Sequence, residues 1–171
     1  MPTWFALRVR PKHEKAVASN LSKLGFDEYV PLHRVRRLWS DRVKVLDAPL
    51  FAGYIFCRFT YSERLRVLNS PGVESIVGFG NNDVPVDDSE IAAVRTLVAS
   101  GKPLANLPFL KIGQDVLIER GPLAGIRGVV LRDEQAWRVV VSVEALDRSI
   151  AVEVDREVLQ TWPSTSLEIA L

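Results

Sequence analysis

The sequence predicts an α+β protein built in two parts. Up to about residue 100, segments with strand periodicity alternate with segments of helix periodicity. After Lys111 only short alternating runs follow, separated by glycines, and a proline-containing segment without periodicity stands between the two parts. We therefore predict a domain at 1–100, a linker at 101–110, a second domain at 111–162 and a C-terminal tail at 163–171.

The first part opens with a strand and a helix. A strand is expected from Trp4 to Arg10, because one of its faces is wholly apolar, with Phe5, Leu7 and Val9, and the other carries Trp4, Ala6, Arg8 and Arg10. A helix is expected next, because Pro11 suits a first helical turn and Gly25 suits the position after a helix end.

The remaining segments of this part complete a recognisable order. They are strands at Tyr29 to Trp39 and Arg42 to Leu46 joined at Ser40–Asp41, a strand at Tyr54 to Phe59, a helix at Ser62 to Asn69, a strand at Ser75 to Phe79 and a helix that opens at Asp87. Without the last helix and one hairpin strand, the order is the split β-α-β pattern of ferredoxin-like (RNP-like) domains. We expect helices on one face of its sheet and a partly open opposite face.

The second part is expected to contain four or five strands. Alternating runs lie at 115–119, 138–144 and 150–155, and residues 128–132 follow a glycine-rich turn. About fifty residues is near the lower limit for a stable domain. A small closed antiparallel barrel is the expected solution, because closure removes exposed sheet edges.

Composition excludes several classes of protein. The chain has 171 residues, of which 47% are hydrophobic and 25% charged, and no apolar run has the length of a membrane span. Arg8 and Arg10 lie where a signal peptide needs its apolar segment, so we expect a cytoplasmic protein without a membrane partner. One cysteine and two histidines favour neither a disulfide nor a metal site, and no cofactor is expected.

No arrangement of residues predicts catalysis. Cys57 lies inside an apolar strand, and His13 and His33 have no recognisable acidic partner nearby. The glycine-rich run 121–128 lacks the Gly-Lys-Ser/Thr ending of a phosphate-binding loop and is interpreted as a turn between strands.

Positive charge is concentrated at the start of the chain. Residues 1–44 hold ten Lys and Arg against four acidic residues, although the whole chain has a net charge of only +1. This asymmetry indicates a surface that meets a polyanion, with a solvated charged surface as the alternative. The candidate nucleic-acid contacts are Arg8, Arg10, Lys12, His13, Arg34, Arg36, Arg37, Arg42 and Lys44.

Aromatic residues mark a second candidate site. Tyr54 and Phe56 are expected to point to the partly open sheet face, which Trp4 is expected to share. Exposed aromatic rings need a cover, which another helix of the domain, stacked RNA bases or a partner protein would provide. The spacing of Gly53, Tyr54, Phe56 and Phe59 partly matches an RNA-recognition signature.

The two parts together resemble a known family. The first resembles the N-terminal domain of NusG-type transcription elongation factors, and the second resembles a KOW domain, an SH3-like β-barrel. The motifs of the first are Trp4-Phe5-Ala6-Leu7, Pro11-Lys12-His13-Glu14-Lys15, Pro49 to Phe56, Pro71-Gly72-Val73 and Val77-Gly78-Phe79-Gly80. Those of the second are Lys111-Ile112-Gly113, Val116, Ile118 and the KOW turn with Gly121, Pro122, Leu123, Gly125, Ile126 and Gly128.

Within the family, the chain resembles the specialised UpxY-like antiterminators and, more distantly, RfaH. The supporting residues are Pro31-Leu32 before a basic hairpin, Trp39-Ser40-Asp41-Arg42 and Pro49-Leu50-Phe51. Housekeeping members place phenylalanines in the KOW turn that recruits Rho or a ribosomal protein, where this chain has Leu123 and Ile126. In RfaH the C-terminal domain can refold as helices, whereas the β-branched runs here favour strands.

The resemblance implies a monomeric factor that binds RNA polymerase and suppresses pausing and termination at selected operons. The clamp helices of the largest polymerase subunit would enter a pocket formed by Trp4, Phe51, Tyr54, Phe56 and Phe79. The helix at 62–69 would face the opposite lobe, and the basic residues would contact upstream or non-template DNA or nascent RNA. The alternatives are an RNA-recognition module that acts without polymerase and a housekeeping factor that couples to Rho.

Overall fold

The described part of the chain folds into two larger antiparallel sheets, two hairpins and three α-helices. The computed structural model describes residues 1–108, 113–132 and 135–161. The strands are β1 (Thr3–Val9), β2 (Asp27–Tyr29), β3 (Leu32–Leu38), β4 (Val43–Pro49), β5 (Tyr54–Phe59), β6 (Val73–Ile76), β7 (Gly78–Phe79), β8 (Asn82–Asp83), β9 (Pro85–Val86), β10 (Leu104–Pro108), β11 (Gln114–Ile118), β12 (Arg127–Arg132), β13 (Trp137–Val143), β14 (Arg148–Val154) and β15 (Leu159–Thr161). The α-helices are α1 (Glu14–Lys23), α2 (Arg64–Leu68) and α3 (Asp88–Ala99).

The N-terminal sheet has the order β2-β5-β1-β6, and β9 also pairs with β1. One face is covered by α1 and α2, through a core that includes Leu7, Val17, Ile55 and Val67. The other face packs against α3 and strands from the second half of the chain. The expectation of a partly open face is therefore wrong for the described residues, because a third helix and a second sheet both bury apolar surface there.

The two long helices, α1 and α3, begin at Glu14 and Asp88. The predicted start of α1 at Pro11 is wrong, because Lys12 has a left-handed backbone with φ of 67°, which no helix continues. The predicted start of α3 is confirmed. Asp87 accepts a hydrogen bond from the backbone N–H of Ser89 at 2.8 Å, and Glu90 accepts one from the N–H of Asp87 at 3.2 Å.

The central strands agree with the sequence apart from two breaks. β5 is confirmed, and so is the hairpin turn at Ser40–Asp41, where Trp39 and Arg42 exchange backbone hydrogen bonds. The strand predicted from residue 29 to 39 is instead divided, because Pro31 has no N–H and its carbonyl accepts a hydrogen bond from Leu50. The strand predicted at 75–79 is divided into β6 and β7.

The segment predicted as a linker is partly a strand. β10 pairs with β14 from Leu104 opposite Val152 to Pro108 opposite Arg148. A proline fits here because β10 is an end strand of its sheet and needs hydrogen bonds on one side only. Of the predicted linker at 101–110, residues 101–103 precede β10, and we call them the crossover segment.

The C-terminal sheet has the order β10-β14-β13-β12-β11-β15. The strands predicted around 115–119, 128–132, 138–144 and 150–155 are confirmed. Residues 111 and 112 of the KOW motif and the predicted tail at 163–171 lie outside the described residues. Within the described ranges, the helices are all too short or too polar to cross a bilayer.

Candidate protein and nucleic-acid interfaces

An aromatic face lies on one side of the N-terminal sheet, and we define it by Trp4, Phe51, Tyr54 and Phe56. Ala6 lies opposite Phe56 in the sheet, and Trp4 lies two residues from Ala6 on the same side. The Phe51 and Phe56 rings meet edge to face, with centroids 5.9 Å apart. Trp4, Phe51 and Phe56 are buried, with at most 4% of their surface exposed, and Tyr54 is half-buried.

Helix α3 covers part of this aromatic face. Ile91, Val94 and Leu97 of α3 share one buried cluster with Trp4 and Phe56. The Arg95 guanidinium lies 5.4 Å from the centroid of the Trp4 ring and 4.9 Å from that of Tyr29. Of the covers considered from the sequence, another helix of the same domain is therefore present.

The C-terminal half packs against α3 and β9, beside the aromatic face. The same buried cluster continues into Val139, Val141 and Leu146 of the C-terminal half. Two hydrogen bonds join the halves within the described residues. Asn106 Nδ2 donates to the Leu50 carbonyl at 2.5 Å, and the backbone N–H of Glu144 donates to Glu90 Oε1 at 3.0 Å. Phe51 follows Leu50 directly, so the second sheet reaches this end of the face.

Phe79 lies apart from the buried aromatic rings. It is 80% exposed in the β7–β8 hairpin. Arg64 of α2 holds this hairpin by donating from Nε to Asp83 Oδ2 at 2.6 Å and from a terminal nitrogen to Oδ1 at 3.3 Å. The sequence grouped Phe79 with the other aromatic residues, but the structure places it outside their buried cluster.

The basic hairpin, β3 with β4, projects its charges into solvent. All five predicted contacts on it, Arg34, Arg36, Arg37, Arg42 and Lys44, are exposed. The hairpin does not pair with the N-terminal sheet. Its end carries exposed apolar side chains as well, and Lys44 Nζ lies 5.0 Å from the centroid of the Trp39 ring.

The other four predicted nucleic-acid contacts lie around the start of α1. Arg8, Arg10, Lys12 and His13 are all exposed. Arg8 Nε lies 3.6 Å from Glu74 Oε2. This ion pair joins two exposed side chains and therefore contributes little to stability, and a nucleic-acid phosphate at Arg8 would have to replace Glu74. The three others form no ion pair with any described residue.

Glu14 is a residue that the sequence reasoning did not single out. It is 4% exposed, and its Oε1 accepts a hydrogen bond from the backbone N–H of Gly53 at 2.8 Å. This bond ties the start of α1 to the turn between Phe51 and Tyr54. Its position at the start of a helix gave no signal of burial, because acidic residues are common there for other reasons.

The predicted KOW turn is built by glycines around two buried side chains. Gly121 and Gly125 have φ of 87° and 89°, which favours glycine, and the N–H of Gly125 donates to the Ile118 carbonyl at 2.8 Å. Leu123 and Ile126 are 2% and 3% exposed. These two side chains fill the core of the C-terminal sheet and offer a partner little surface, whereas Pro122 is exposed.

The described residues offer little reactive chemistry. Burial and nearby carboxylates raise the pKa of the Cys57 thiol to about 12, so it stays protonated and inert at neutral pH. No group of three or more His, Cys, Asp or Glu side chains suited to a metal ion occurs in the part of the chain that the structure describes.

Comparison with known proteins identifies the family. The family model described as "NusG: Transcription termination factor nusG" matches residues 2–95. The chain is 25% identical over 132 residues to the transcription termination/antitermination protein NusG of Neisseria meningitidis serogroup B, covering 74% of each protein. The chain is also similar to a solved structure of Thermotoga maritima NusG, with a TM-score of 0.56 and 21% identity. The similarity covers 95% of this chain and 98% of the Thermotoga chain, which supports a shared fold. Since the family match spans more than half of the sequence, the chain belongs to the NusG family of transcription termination and antitermination factors.

Proposed function

We propose that this chain is a transcription elongation and antitermination factor that binds the clamp helices of RNA polymerase with its aromatic face. NusG-family proteins are transcription factors and not enzymes, which confirms the prediction of a non-enzyme. They act on RNA polymerase, and the proposal assigns that contact to Phe51, Tyr54 and Phe56, with Trp4 beneath them and Phe79 at the rim. The finer domain types, a ferredoxin-like domain at 1–100 and a KOW barrel after it, belong to the same proposal, and the order β6-β1-β5-β2 supports the first.

The observation that carries the proposal is that the aromatic face shares one buried cluster with a separable sheet. Among the described residues, no strand of the C-terminal sheet pairs with the N-terminal sheet. In the described residues, two hydrogen bonds and apolar contacts join the halves, and the crossover segment is short. The C-terminal sheet can therefore leave without breaking a β-ladder, and its departure would uncover part of the aromatic face.

Polymerase binding then requires a two-state equilibrium between docked and released forms. The clamp helices would occupy the surface from which the C-terminal sheet has departed, in a helix-in-groove contact. Because only the released form binds, the apparent affinity is reduced by the fraction of molecules that are released. Contacts that favour docking should therefore weaken polymerase binding.

Other surfaces support secondary contacts in this proposal. Exposed Leu65 of α2 would face the opposite lobe of polymerase. The basic residues of the hairpin and of the start of α1 would hold upstream or non-template DNA or nascent RNA in the cytoplasm. Specialisation for selected operons, as in UpxY-like factors, is part of the proposal and rests on the sequence motifs alone.

The two alternative functions are less well supported. Recruitment of Rho or a ribosomal protein through the KOW turn would need Leu123 and Ile126 at the surface, but both are buried. Stacking of RNA bases on Phe56 would need the same released form as polymerase binding, because Phe56 is fully buried in the docked arrangement. The family match favours a transcription factor over a general RNA-recognition module.

A binding titration with a polymerase clamp-helix fragment tests the proposal. Tyr54→Ala in the full chain should weaken binding at least tenfold, because a half-buried aromatic ring at an interface centre is a typical hot spot. Tyr61→Ala, which removes an exposed tyrosine on another surface, is the matched control and should leave the affinity unchanged. Equal affinities of both variants, or RNA binding without any clamp affinity, would contradict the proposal.

A further inference from the structure

A cleft of about 890 Å³ lies between the basic hairpin and the crossover segment. The hairpin forms one wall, and the end of α3 at Val98 with the residues up to Leu104 forms the other. Its volume is in the range of sites that hold small molecules or a few nucleotides.

The strand register places two arginines in this cleft. Arg34 lies opposite Asp47 and Arg36 lies opposite Val45, so these four side chains share one face of the hairpin. All four line the cleft. Lys102 of the crossover segment lines it from the other wall.

The cleft carries a net positive charge. Arg34, Arg36 and Lys102 are exposed, and none of them forms an ion pair with a described residue. Asp47 is the one acidic residue of the lining. Burial lowers the pKa of His33 below its ordinary value of 6.5, so this lining residue is neutral at pH 7 and does not add to the charge.

Apolar side chains line the cleft beside the charged ones. The apolar lining residues are Leu32, Val45, Val98, Pro103 and Leu104. A ligand that contacts both the charged and the apolar lining residues must carry several negative charges and also planar or apolar surface.

We propose that this cleft binds unpaired nucleotides of a single-stranded nucleic acid. Phosphates contact Arg34, Arg36 and Lys102, while sugars and base faces rest on the apolar lining. The inference rests on the proposed function and adds Lys102 and a defined binding channel to it. A duplex fits less well, because its base faces are stacked within the helix and cannot contact the apolar lining residues.

Charge outside the cleft favours a polyanion over a short acidic peptide. Arg37 lies opposite Lys44, so these two exposed charges share the other face of the hairpin from Arg34 and Arg36. A chain that leaves the cleft reaches them around the end of the hairpin, where Arg42 is exposed and Trp39 is 51% exposed. A nucleic acid chain extends beyond one cleft and can use these charges and the tryptophan ring together.

Fluorescence anisotropy with a 12-nucleotide single strand tests the inference on the full chain. The affinity is measured from 50 to 200 mM salt for the wild type and for Lys102→Ala. Each lost phosphate contact should lower the magnitude of the salt slope by about 0.7, which corresponds to about fivefold weaker binding at 0.1 M salt. The triple variant Arg34→Ala, Arg36→Ala, Lys102→Ala should lower it by about 2, or about 100-fold at 0.1 M.

Lys23→Ala is the matched control, because Lys23 is an exposed lysine at the end of α1, the helix on the opposite face of the N-terminal sheet. It should leave the slope unchanged. Unchanged binding by Lys102→Ala, equal losses in Lys23→Ala, or a duplex bound as tightly as the single strand would overturn the inference. Displacement of the single strand by poly-glutamate at equal charge concentration would identify an acidic-peptide site instead.

The outcome is separable from that of the proposed function. The oligonucleotide assay contains no polymerase, and the clamp-helix assay contains no nucleic acid. Clamp binding without Lys102-dependent oligonucleotide binding would refute the cleft and leave the polymerase proposal standing. The reverse result would refute the polymerase proposal alone.

Discussion

Asn106→Ala should shift the balance between docked and released forms of the chain. Its side-chain amide donates to the Leu50 carbonyl at 2.5 Å and is one of the two hydrogen bonds between the halves in the described residues. A neutral hydrogen bond contributes about 1 kcal/mol net, which is about a fivefold change in an equilibrium constant. If the docked form dominates, affinity for the clamp helices should rise by about the same factor.

Isothermal titration of the full-length variant with the clamp-helix fragment measures this change. Glu90→Ala is a poorer choice, because Glu90 also accepts the hydrogen bond that caps α3. Gln160→Ala is the matched control, since it removes an exposed amide from β15, at the far end of the same sheet. An unchanged or weaker affinity in Asn106→Ala, with a circular dichroism spectrum like that of the wild type, would refute the reasoning.

Three further predictions concern stability and reactivity. Cys57 is buried and its pKa is raised to about 12, so it should react with a thiol reagent at pH 8 only when the protein unfolds. Labelling of the native protein at the rate of free cysteine would contradict its burial. Hydrogen bonds from Ser89 lower the pKa of Asp87 below its ordinary 3.8, so the charged cap of α3 stabilises the fold above that pH and is lost as the pH falls through the lowered value. Asp87→Asn should therefore remove part of the decrease in melting temperature that the wild type shows between pH 5 and 3. Equal decreases in the variant and the wild type would contradict this prediction. Gly128→Ala should destabilise the C-terminal sheet by about 1–3 kcal/mol in a urea titration, because the added Cβ would lie 2.5 Å from the Val140 carbonyl oxygen. Gly121→Ala is the control: its added Cβ would meet no neighbouring atom, so its free energy of unfolding should fall only by the cost of placing alanine at a φ of 87°.

Local patterns predicted the elements whose cause is local. The capping box of α3, the β5 strand and the turn at Ser40–Asp41 all follow from neighbouring residues, and all three are present. The strands of the C-terminal sheet follow from their period-two alternation. The exposed basic hairpin was also predicted, since charged side chains are rarely buried without a partner.

Features that depend on distant contacts were not predictable. β10 lacks periodicity in the sequence and is stabilised by pairing with β14, about 45 residues later in the chain. The burial of Trp4, Phe51 and Phe56 depends on where α3 and the C-terminal sheet pack, which no single segment encodes. Glu14, Arg95 and Asn106 were missed for the same reason, because each acts through a contact with a residue far away in the sequence.

Hydrogen–deuterium exchange on the full chain, with and without the clamp-helix fragment, tests the central proposal most directly. Replacement of the C-terminal sheet by the clamp helices predicts that residues 144–146 lose protection on binding, because they contact β9 and Glu90 in the docked form. Residues 51–56 should stay protected, since a partner then covers them. Binding of the fragment with unchanged protection at 144–146 would show that polymerase uses another surface and would contradict the account.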